Sequence, residues 1–307
     1  MKPLLLKVSV SVALISALLA QADLPDLGRR FASAGVLTLT IGSICVFALS
    51  VITAARWKTI LGEFRHPLAF AVVWRYTVIG MFFSQLLPSG IGGDGFRIWY
   101  ARREGLPLGV AIGTVLVDRI LGLLGLLLLI IFGLPYLLSL HMSDILATVI
   151  SISAALLALG ITAFLFIDHL MAGIALLQGR AWTAHFQRPY LARVKGELAR
   201  TAKDTRRLLR VLPQGPATVL LSLINQIALG LVVLYLARSM SLSLTPVAAV
   251  FLFPPVLLLS TMPISLAGLE ADASLSVSVL FGACTFLSGL PGGLIWLLAR
   301  RGVTTKG

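Results

Sequence analysis

The chain has little charge for its length. Of its 307 residues, 12% are charged and 58% are hydrophobic, and the mean hydropathy is +0.98. A soluble globular domain carries about a quarter charged residues, so this composition excludes a water-soluble enzyme. The apolar residues form long blocks rather than the short alternating segments of a membrane β-barrel. The sequence therefore predicts an all-α, polytopic helical membrane protein.

Cysteine and histidine are also scarce. Cys45 and Cys284 both lie inside apolar blocks and lack the spacing of metal ligands or of a disulfide framework. The four histidines lie near segment ends, and no Ser/His/Asp or Cys/His set for nucleophilic catalysis can be assembled. We therefore predict no metal, no cofactor and no catalytic residue.

Acidic residues are fewer than basic ones. The chain has 12 Asp and Glu against 25 Lys and Arg, which gives a net charge of +13. Such a balance is typical of proteins that bind nucleic acid or anionic membrane. Most of the basic residues lie in short segments between apolar blocks, where they orient helices and meet anionic lipid. We therefore expect a membrane lipid, and no nucleic acid, as partner.

The apolar blocks predict where the chain crosses the membrane. They are residues 34–55, 67–87, 106–139, 145–167, 216–237, 246–262 and 273–299. A further apolar run, residues 8–19, follows two lysines and precedes Ala-Gln-Ala at residues 20–22. This pattern is shared by signal peptides, so the first run is either a span or a cleaved leader.

Basic residues predict the orientation. Residues 168–215 hold nine Lys and Arg, which places this segment on the cytoplasmic side. Apolar residues at helical spacing over residues 191–209 predict an amphipathic helix within it, lying on the membrane surface. Arg56, Lys58 and Arg65 are assigned to the preceding cytoplasmic segment. The whole chain, residues 1–307, is expected to form one integral membrane domain.

Two segments do not fit simple spans. We count membrane crossings in both directions from the cytoplasmic segment, residues 168–215. This count requires residues 67–118 to begin and end on the cytoplasmic side. It also requires residues 246–272, which proline interrupts three times, to begin and end on the outer side. We predict about six full spans plus two broken or re-entrant segments; eight ordinary spans are the alternative. Interrupted segments in corresponding positions of two halves are where transporters place their substrate sites.

Charged residues occur inside these apolar segments. Asp94 and Arg97 lie in the sequence QLLPSGIGGDGFR of residues 85–97, and Asp118 and Arg119 lie in the next apolar block. A charge inside a membrane helix costs about 2.5 to 3.5 kcal/mol on insertion scales. We therefore expect an aspartate to pair with an arginine and to leave a guanidinium free for a phosphate. Because Asp118 and Arg119 point about 100° apart on a helix, they should have different partners.

Glycines and one further arginine complete this region. Gly90, Gly92 and Gly93 either line an anion-binding turn with free N–H groups or only let helices approach closely; both interpretations stay open. Arg75, in the preceding block, is a further candidate for the site. The GxxxG patterns at residues 109–113 and 289–293 predict close helix packing.

Two motifs resemble a known family. Residues 87–97 (LPSGIGGDGFR) and 117–124 (VDRILGLL) are similar to the flippase-like membrane domain of lysylphosphatidylglycerol synthetases and to stand-alone bacterial membrane proteins of that family. Weaker motifs at residues 262–268 and 290–294 extend the resemblance over nearly the whole chain. The family pattern carries over to Pro88, Gly92, Gly93, Asp94, Arg97, Asp118 and Arg119.

The resemblance implies a multi-pass protein of the bacterial inner membrane. Such a protein moves, or helps to move, an anionic phospholipid or a polyprenyl-phosphate-linked lipid between leaflets. Aminoacyl transfer is not implied, because in the synthetases it belongs to a separate soluble domain that we expect this chain to lack. The alternatives are a membrane-embedded lipid-modifying transferase and a non-transporting accessory subunit that recruits a lipid-modifying enzyme.

The second broken segment departs from the family pattern. Residues 268–272 run almost directly into the last helix, whereas family members continue with an Arg-Glu-like motif and about ten to fifteen more residues, which bears on the number of spans. Glu270 matches the acid of that motif, but the arginine is absent. The predicted substrate site comprises Arg75, Gln85, Pro88, Gly90, Gly92, Gly93, Asp94, Arg97, Asp118, Arg119 and Glu270.

Overall fold

The computed structural model describes residues 24–86, 91–139, 144–177, 189–211, 213–258 and 271–304, and it folds them into helices without a strand. The helices are α1 (Leu24–Glu63), α2 (Phe70–Leu86), α3 (Ile91–Arg103), α4 (Leu108–Ser139), α5 (Asp144–Leu165), α6 (Ile167–Leu177), α7 (Pro189–Arg210), α8 (Gln214–Ser239), α9 (Pro246–Leu258) and α10 (Ala271–Thr304). The predicted all-α class is confirmed.

Five described helices are long and apolar enough to cross a bilayer. The spanning segments are Gly35–Glu63 of α1, Leu108–Ser139, Ala147–Leu165, Gln214–Ser239 and Ser274–Ala299. They coincide with five of the six predicted spans, so the chain is a multi-pass membrane protein. The sixth, residues 8–19, and the question of its cleavage lie outside the described residues.

The first predicted re-entrant segment is a pair of antiparallel helices, α2 and α3. Near its base the Tyr76 and Tyr100 rings stack with centroids 4.5 Å apart, and farther along Phe83 stacks on Phe96. At 1.5 Å per residue these helices are only about 26 and 20 Å long. Because short turns join them to the end of α1 and the start of α4, the chain enters and leaves at one end of the bundle.

Left-handed residues make the sharp turns at this hairpin. Arg65 after α1 and Gly105 after α3 have φ of 62° and 92°. In both turns the next amide donates to the carbonyl five residues back, at 3.0 and 3.2 Å, which is the Schellman arrangement of a helix C-terminus. Pro67 and Pro107 follow and prevent the helices from continuing.

Helix α9 is the described part of the second broken segment. It has 13 residues and is about 20 Å long, too short to span a bilayer. It packs against α8, where the Ala249 carbonyl oxygen would lie 3.0 Å from a Cβ at Gly230, and against α4, where Phe251 lies over Gly133. Residues 259–270 lie outside the described part of the chain.

Both GxxxG patterns lie at close helix contacts, as predicted. A Cβ at Gly113 would lie 2.9 Å from Thr201 Oγ1, and one at Gly293 would lie 2.7 Å from the Phe82 ring. Next to the second pattern, a Cβ at Gly292 would lie 2.1 Å from the Val78 carbonyl oxygen. Glycine at these positions therefore lets α7 pack on α4 and lets α10 pack on the hairpin.

The predicted amphipathic helix is α7, but its apolar face lies on the protein. Ala202, Thr205 and Leu208 are buried, and Leu208 packs with residues of α1 and α4. The expectation that this face lies in the membrane surface is therefore wrong for Ala202 and Thr205. The reason is the groove at Gly109 and Gly113 of α4, which the α7 side chains fill.

An ion pair holds the other side of α7. The Arg206 guanidinium donates to the Asp168 carboxylate at 2.6 and 2.9 Å and also to the Leu165 carbonyl. The hydrogen bonds from Arg206 hold the pKa of the Asp168 carboxyl below its usual range. This contact fixes α7 to the junction of α5 and α6.

Candidate functional site

Asp118 of α4 lies at the centre of a group of buried charges. Its side chain is 2% exposed. Oδ1 accepts a hydrogen bond from Arg56 Nε at 2.7 Å, and Oδ2 accepts one from Arg97 Nη2 at 2.9 Å. A buried carboxylate is stable only with such partners, so Asp118 joins α1, α3 and α4.

Asp94 continues the group towards the protein surface. Its two oxygens accept hydrogen bonds from Arg119 Nε and Nη2 at 2.7 and 3.0 Å, and Oδ1 also lies 3.6 Å from Arg97 Nη1. We call Arg56, Asp118, Arg97, Asp94 and Arg119, in this order of contact, the charge network. Asp118 and Arg119 have different partners, as their angular separation predicted.

Burial changes along the charge network. The Arg56, Asp118 and Arg97 side chains are at most 8% exposed, whereas Arg119 is 54% exposed and Asp94 17%. The network therefore runs from the interior to a guanidinium on the outer surface of the helices. Arg119 belongs to the spanning segment Leu108–Ser139, so its exposed guanidinium faces either lipid or a water-filled opening.

The depth of the network follows from helix lengths. Arg56, Asp118 and Ser222 each lie about 10 to 15 Å along their helices from the end where α1 terminates and α4 and α8 begin. Three arginines face two aspartates, so the network carries one excess positive charge. The three spanning segments have 29, 32 and 26 residues and are about 39 to 48 Å long, so a hydrocarbon core of about 30 Å centred on them would contain these residues about 4 to 8 Å inside its edge.

The position of Arg56 differs from the sequence-based prediction. The end of the apolar block at Ala55 predicts that Arg56 lies in a cytoplasmic segment, but α1 continues for two further turns to Glu63. The structure buries Arg56 at 7% exposure, and its Nη1 donates to Ser222 Oγ of α8 at 3.0 Å. The available signal was helical spacing, since Arg56 follows the block without a turn residue.

Two buried N–H donors, one on Arg97 of the charge network and one on the neighbouring Trp57, have no hydrogen-bond partner among the described residues. Arg97 Cζ lies 4.2 Å from the centroid of the Trp57 ring, a cation–π contact. Within the described part of the chain, Arg97 Nε and Trp57 Nε1 are both buried and unbonded. Buried donors are nearly always paired, so each of these two groups is a candidate donor to an oxygen acceptor.

Glycines bring α3 close enough for Arg97 to reach Asp118. A Cβ at Gly93 would lie 2.1 Å from the Gly80 carbonyl oxygen, and a Cβ at Gly80 would lie 3.1 Å from Arg97 Cγ. Gly92 lies in the same first turn of α3. For Gly93 the packing interpretation is supported. The turn itself, residues 87–90, which includes Pro88 and Gly90, lies outside the described residues.

Other predicted site residues lie apart from the network. Gln85 Nε2 donates to the Thr285 carbonyl at 2.7 Å and joins the hairpin to α10. Arg75 is exposed at the hairpin base, where its Nη2 donates to Tyr76 Oη at 3.2 Å. Glu270 lies outside the described residues. The structure therefore brings together Asp94, Arg97, Asp118 and Arg119 and adds Arg56.

These features define a class of protein: a multi-pass helical membrane protein with a charge network where a short helical hairpin meets three spans. Residues 4–293 match the family described as the lysylphosphatidylglycerol synthase TM region, and the chain belongs to this family. A UPF0104 membrane protein of Methanocaldococcus jannaschii is 29% identical over 114 residues, which cover 36% of this chain and 34% of that relative. No solved structure matches the chain.

Proposed function

We propose that the protein moves an anionic lipid between the leaflets of the bacterial inner membrane and that the charge network holds the phosphate head group. The substrate is an anionic phospholipid or a polyprenyl-phosphate-linked lipid. The observation that carries the proposal is the single excess positive charge of the network at membrane depth. A phosphodiester group carries one negative charge and neutralises it.

Arg119 is the first contact for the lipid. Its guanidinium is 54% exposed at membrane depth, so a head group reaches it from the side while the apolar chains stay in lipid. The phosphate competes with the Asp94 carboxylate for the same two N–H donors, since arginine binds both groups bidentately. Without lipid, Asp94 holds this place and compensates Arg119.

Arg97 is the second contact. It lies between Asp94 and Asp118, so an Asp94 released from Arg119 stays near a positive charge. The unbonded donors Arg97 Nε and Trp57 Nε1 supply hydrogen bonds for the phosphate oxygens. Charge-assisted hydrogen bonds of this kind compensate part of the cost of bringing a head group into the membrane.

The basic end of the bundle is proposed to be cytoplasmic. The last turns of α3 and α7 carry arginines at the end where the hairpin opens, which follows the positive-inside tendency of membrane proteins. In this orientation the network lies about 10 to 15 Å from the cytoplasmic helix ends. The head group is then taken from the inner leaflet or delivered to it.

Replacing Arg119 or Arg97 by Gln tests the site. Each change removes a charged hydrogen-bond donor worth about 1.5 to 3 kcal/mol, so we expect lipid exchange to slow by about 10- to 100-fold. The assay uses liposomes with fluorescent phosphatidylglycerol, or a short polyprenyl phosphate, in both leaflets. Dithionite then reports loss of the protected inner-leaflet fraction.

Arg238→Gln is the matched control, because Arg238 is exposed in the last turn of α8 at the opposite end. It should exchange lipid at the unchanged rate. Normal exchange by both Arg97→Gln and Arg119→Gln would refute the site. If the folded unchanged protein moves neither lipid, translocation is refuted, and the transferase or the accessory subunit becomes the better hypothesis.

Trp57→Phe tests the unbonded donors separately. The variant keeps an aromatic face beneath Arg97 but loses Nε1, so we expect unchanged folding and about a tenfold weaker binding of short-chain phosphatidylglycerol in detergent. Trp74→Phe is the control, because Trp74 Nε1 already donates to Ser50 Oγ at 2.8 Å. Equal lipid affinity of the Trp57 variant and the unchanged protein would show that the phosphate does not use this donor.

A further inference from the structure

A second group of cationic and aromatic side chains lies at the base of the hairpin, apart from the charge network. Arg103 Cζ lies 4.1 Å from the centroid of the Trp99 ring, and Arg75 Cζ lies 5.1 Å from that of Tyr76. The Tyr100 ring stacks on Tyr76 and meets the edge of Trp99 at 4.7 Å. We call Arg75, Tyr76, Trp99, Tyr100, Arg103 and Glu104 the hairpin-base cluster.

The two arginines of this cluster are held by rings rather than by carboxylates. Glu104, the only acid in the cluster, accepts a hydrogen bond from Tyr76 Oη. Neither Arg75 nor Arg103 forms an ion pair with any described residue. Arg75 donates one N–H group to Tyr76 Oη, and the other guanidinium N–H groups of the two arginines have no hydrogen-bond partner among the described residues and are available for an anion.

The hairpin-base cluster lies between the end of α3 and the charge network. Arg103 lies in the last turn of α3 and Arg97 six residues before it, about 9 Å along the same helix. Trp99, between them, is 44% exposed. Tryptophan and tyrosine beside arginine are typical of the layer where lipid phosphates lie.

We propose that the hairpin-base cluster binds the phosphate of an anionic phospholipid at the membrane surface and passes the head group to the charge network. This role rests on the proposed function, but binding at the cluster stands on its own geometry. Arg75 and Arg103 hold the phosphate oxygens, and Trp99 lies beside the glycerol and the first part of the acyl chains. Charge complementarity selects anionic over zwitterionic lipid.

Arg103→Gln and its neighbour Arg102→Gln form a matched pair for the test. Arg102 is also exposed on α3, yet it makes no ion pair or ring contact with the described residues. Native mass spectrometry of detergent-solubilised protein, titrated with phosphatidylglycerol or phosphatidylcholine, counts the lipids bound. We expect Arg103→Gln to weaken one phosphatidylglycerol binding event about tenfold and Arg102→Gln to leave it unchanged.

Further variants separate this site from the charge network. Arg119→Gln should weaken a different binding event, and the double variant Arg103→Gln/Arg119→Gln should weaken both. If the unchanged protein moves no lipid while Arg103→Gln still loses a bound lipid, the proposed function fails and the surface site stands. Equal titrations for Arg103→Gln and Arg102→Gln would overturn the inference, as would displacement of the lipid by millimolar inorganic phosphate, because the site would then take the free ion.

Discussion

Replacing Asp118 by Asn will destabilise the folded protein by about 3 to 5 kcal/mol, because the change leaves Arg56 buried without a counter-charge and leaves Arg97 with only the Asp94 carboxylate, 3.6 Å away. Asp118 accepts hydrogen bonds from both arginines and is 2% exposed. The measurement is thermal unfolding in detergent, followed by a thiol-reactive dye at Cys284. This thiol is buried, and Cys45→Ser removes the exposed one.

Asp168→Asn is the control for this prediction. It also removes the carboxylate of an ion pair with arginine, but this pair lies outside the spanning helices and is partly exposed, so the change in stability should be small. A triple variant, Arg56→Met and Arg97→Met with Asp118→Leu, replaces the whole buried group by apolar side chains and should recover much of the lost stability without recovering lipid exchange. Unchanged stability of Asp118→Asn would show that Asp118 does not hold Arg56 and Arg97 as a buried ion pair.

Gly93→Ala will separate the two helices of the hairpin. The new methyl group would lie 2.0 Å from Ser84 Oγ and 2.1 Å from the Gly80 carbonyl oxygen, and a backbone atom cannot move away without moving α2. We expect a loss of about 3 kcal/mol, at the upper end of overpacking effects, and lipid exchange at least tenfold slower because Arg97 moves with α3. Unfolding and liposome assays measure the two effects.

Gly95→Ala is the control for Gly93→Ala. It adds the same methyl group to α3 at a position where no neighbouring atom is close. Gly95 lies two residues further along α3, and its Cβ would meet nothing within 4 Å. Alanine is the better helix former by about 1 kcal/mol, so this variant should be as stable as the unchanged protein or slightly more stable. If Gly93→Ala behaved like Gly95→Ala, the close contact between α2 and α3 would be refuted.

Much of the helical architecture could be predicted because its determinants are local. Long apolar blocks specify helices that cross the bilayer, and five of the six predicted spans coincide with described spanning helices. The distribution of basic residues also predicted that residues 67–118 begin and end on one side. The structure shows a hairpin of α2 and α3 over residues 70–103, whereas residues 108–118 belong to the spanning helix α4. The sequence also shows directly that charged residues lie in or beside these apolar segments: Asp94, Arg97, Asp118 and Arg119.

Contacts between helices could not be predicted in the same way. Whether Asp118 pairs with Arg97 or Arg119 depends on how each helix is rotated about its axis, and the contact of Gly93 with Gly80 sets that rotation. Arg75 and Gln85 lie on α2, as does Gly80 near the network. Arg75 instead contacts Tyr76 at the hairpin base, and Gln85 contacts the Thr285 carbonyl of α10. The apolar face of α7 packs on α4 for a comparable reason, because glycines there leave a groove.

The sequence by itself determined the membrane class of this protein, most of its spans, the hairpin and the intramembrane position of four charged residues. Hydropathy and charge act along the chain, so their pattern is readable without coordinates. Only the tertiary structure decided that Arg56 belongs to the charge network, which aspartate pairs with which arginine, and that Arg119 is the exposed member. Those outcomes depend on distances between residues far apart in sequence, which close packing of whole helices decides.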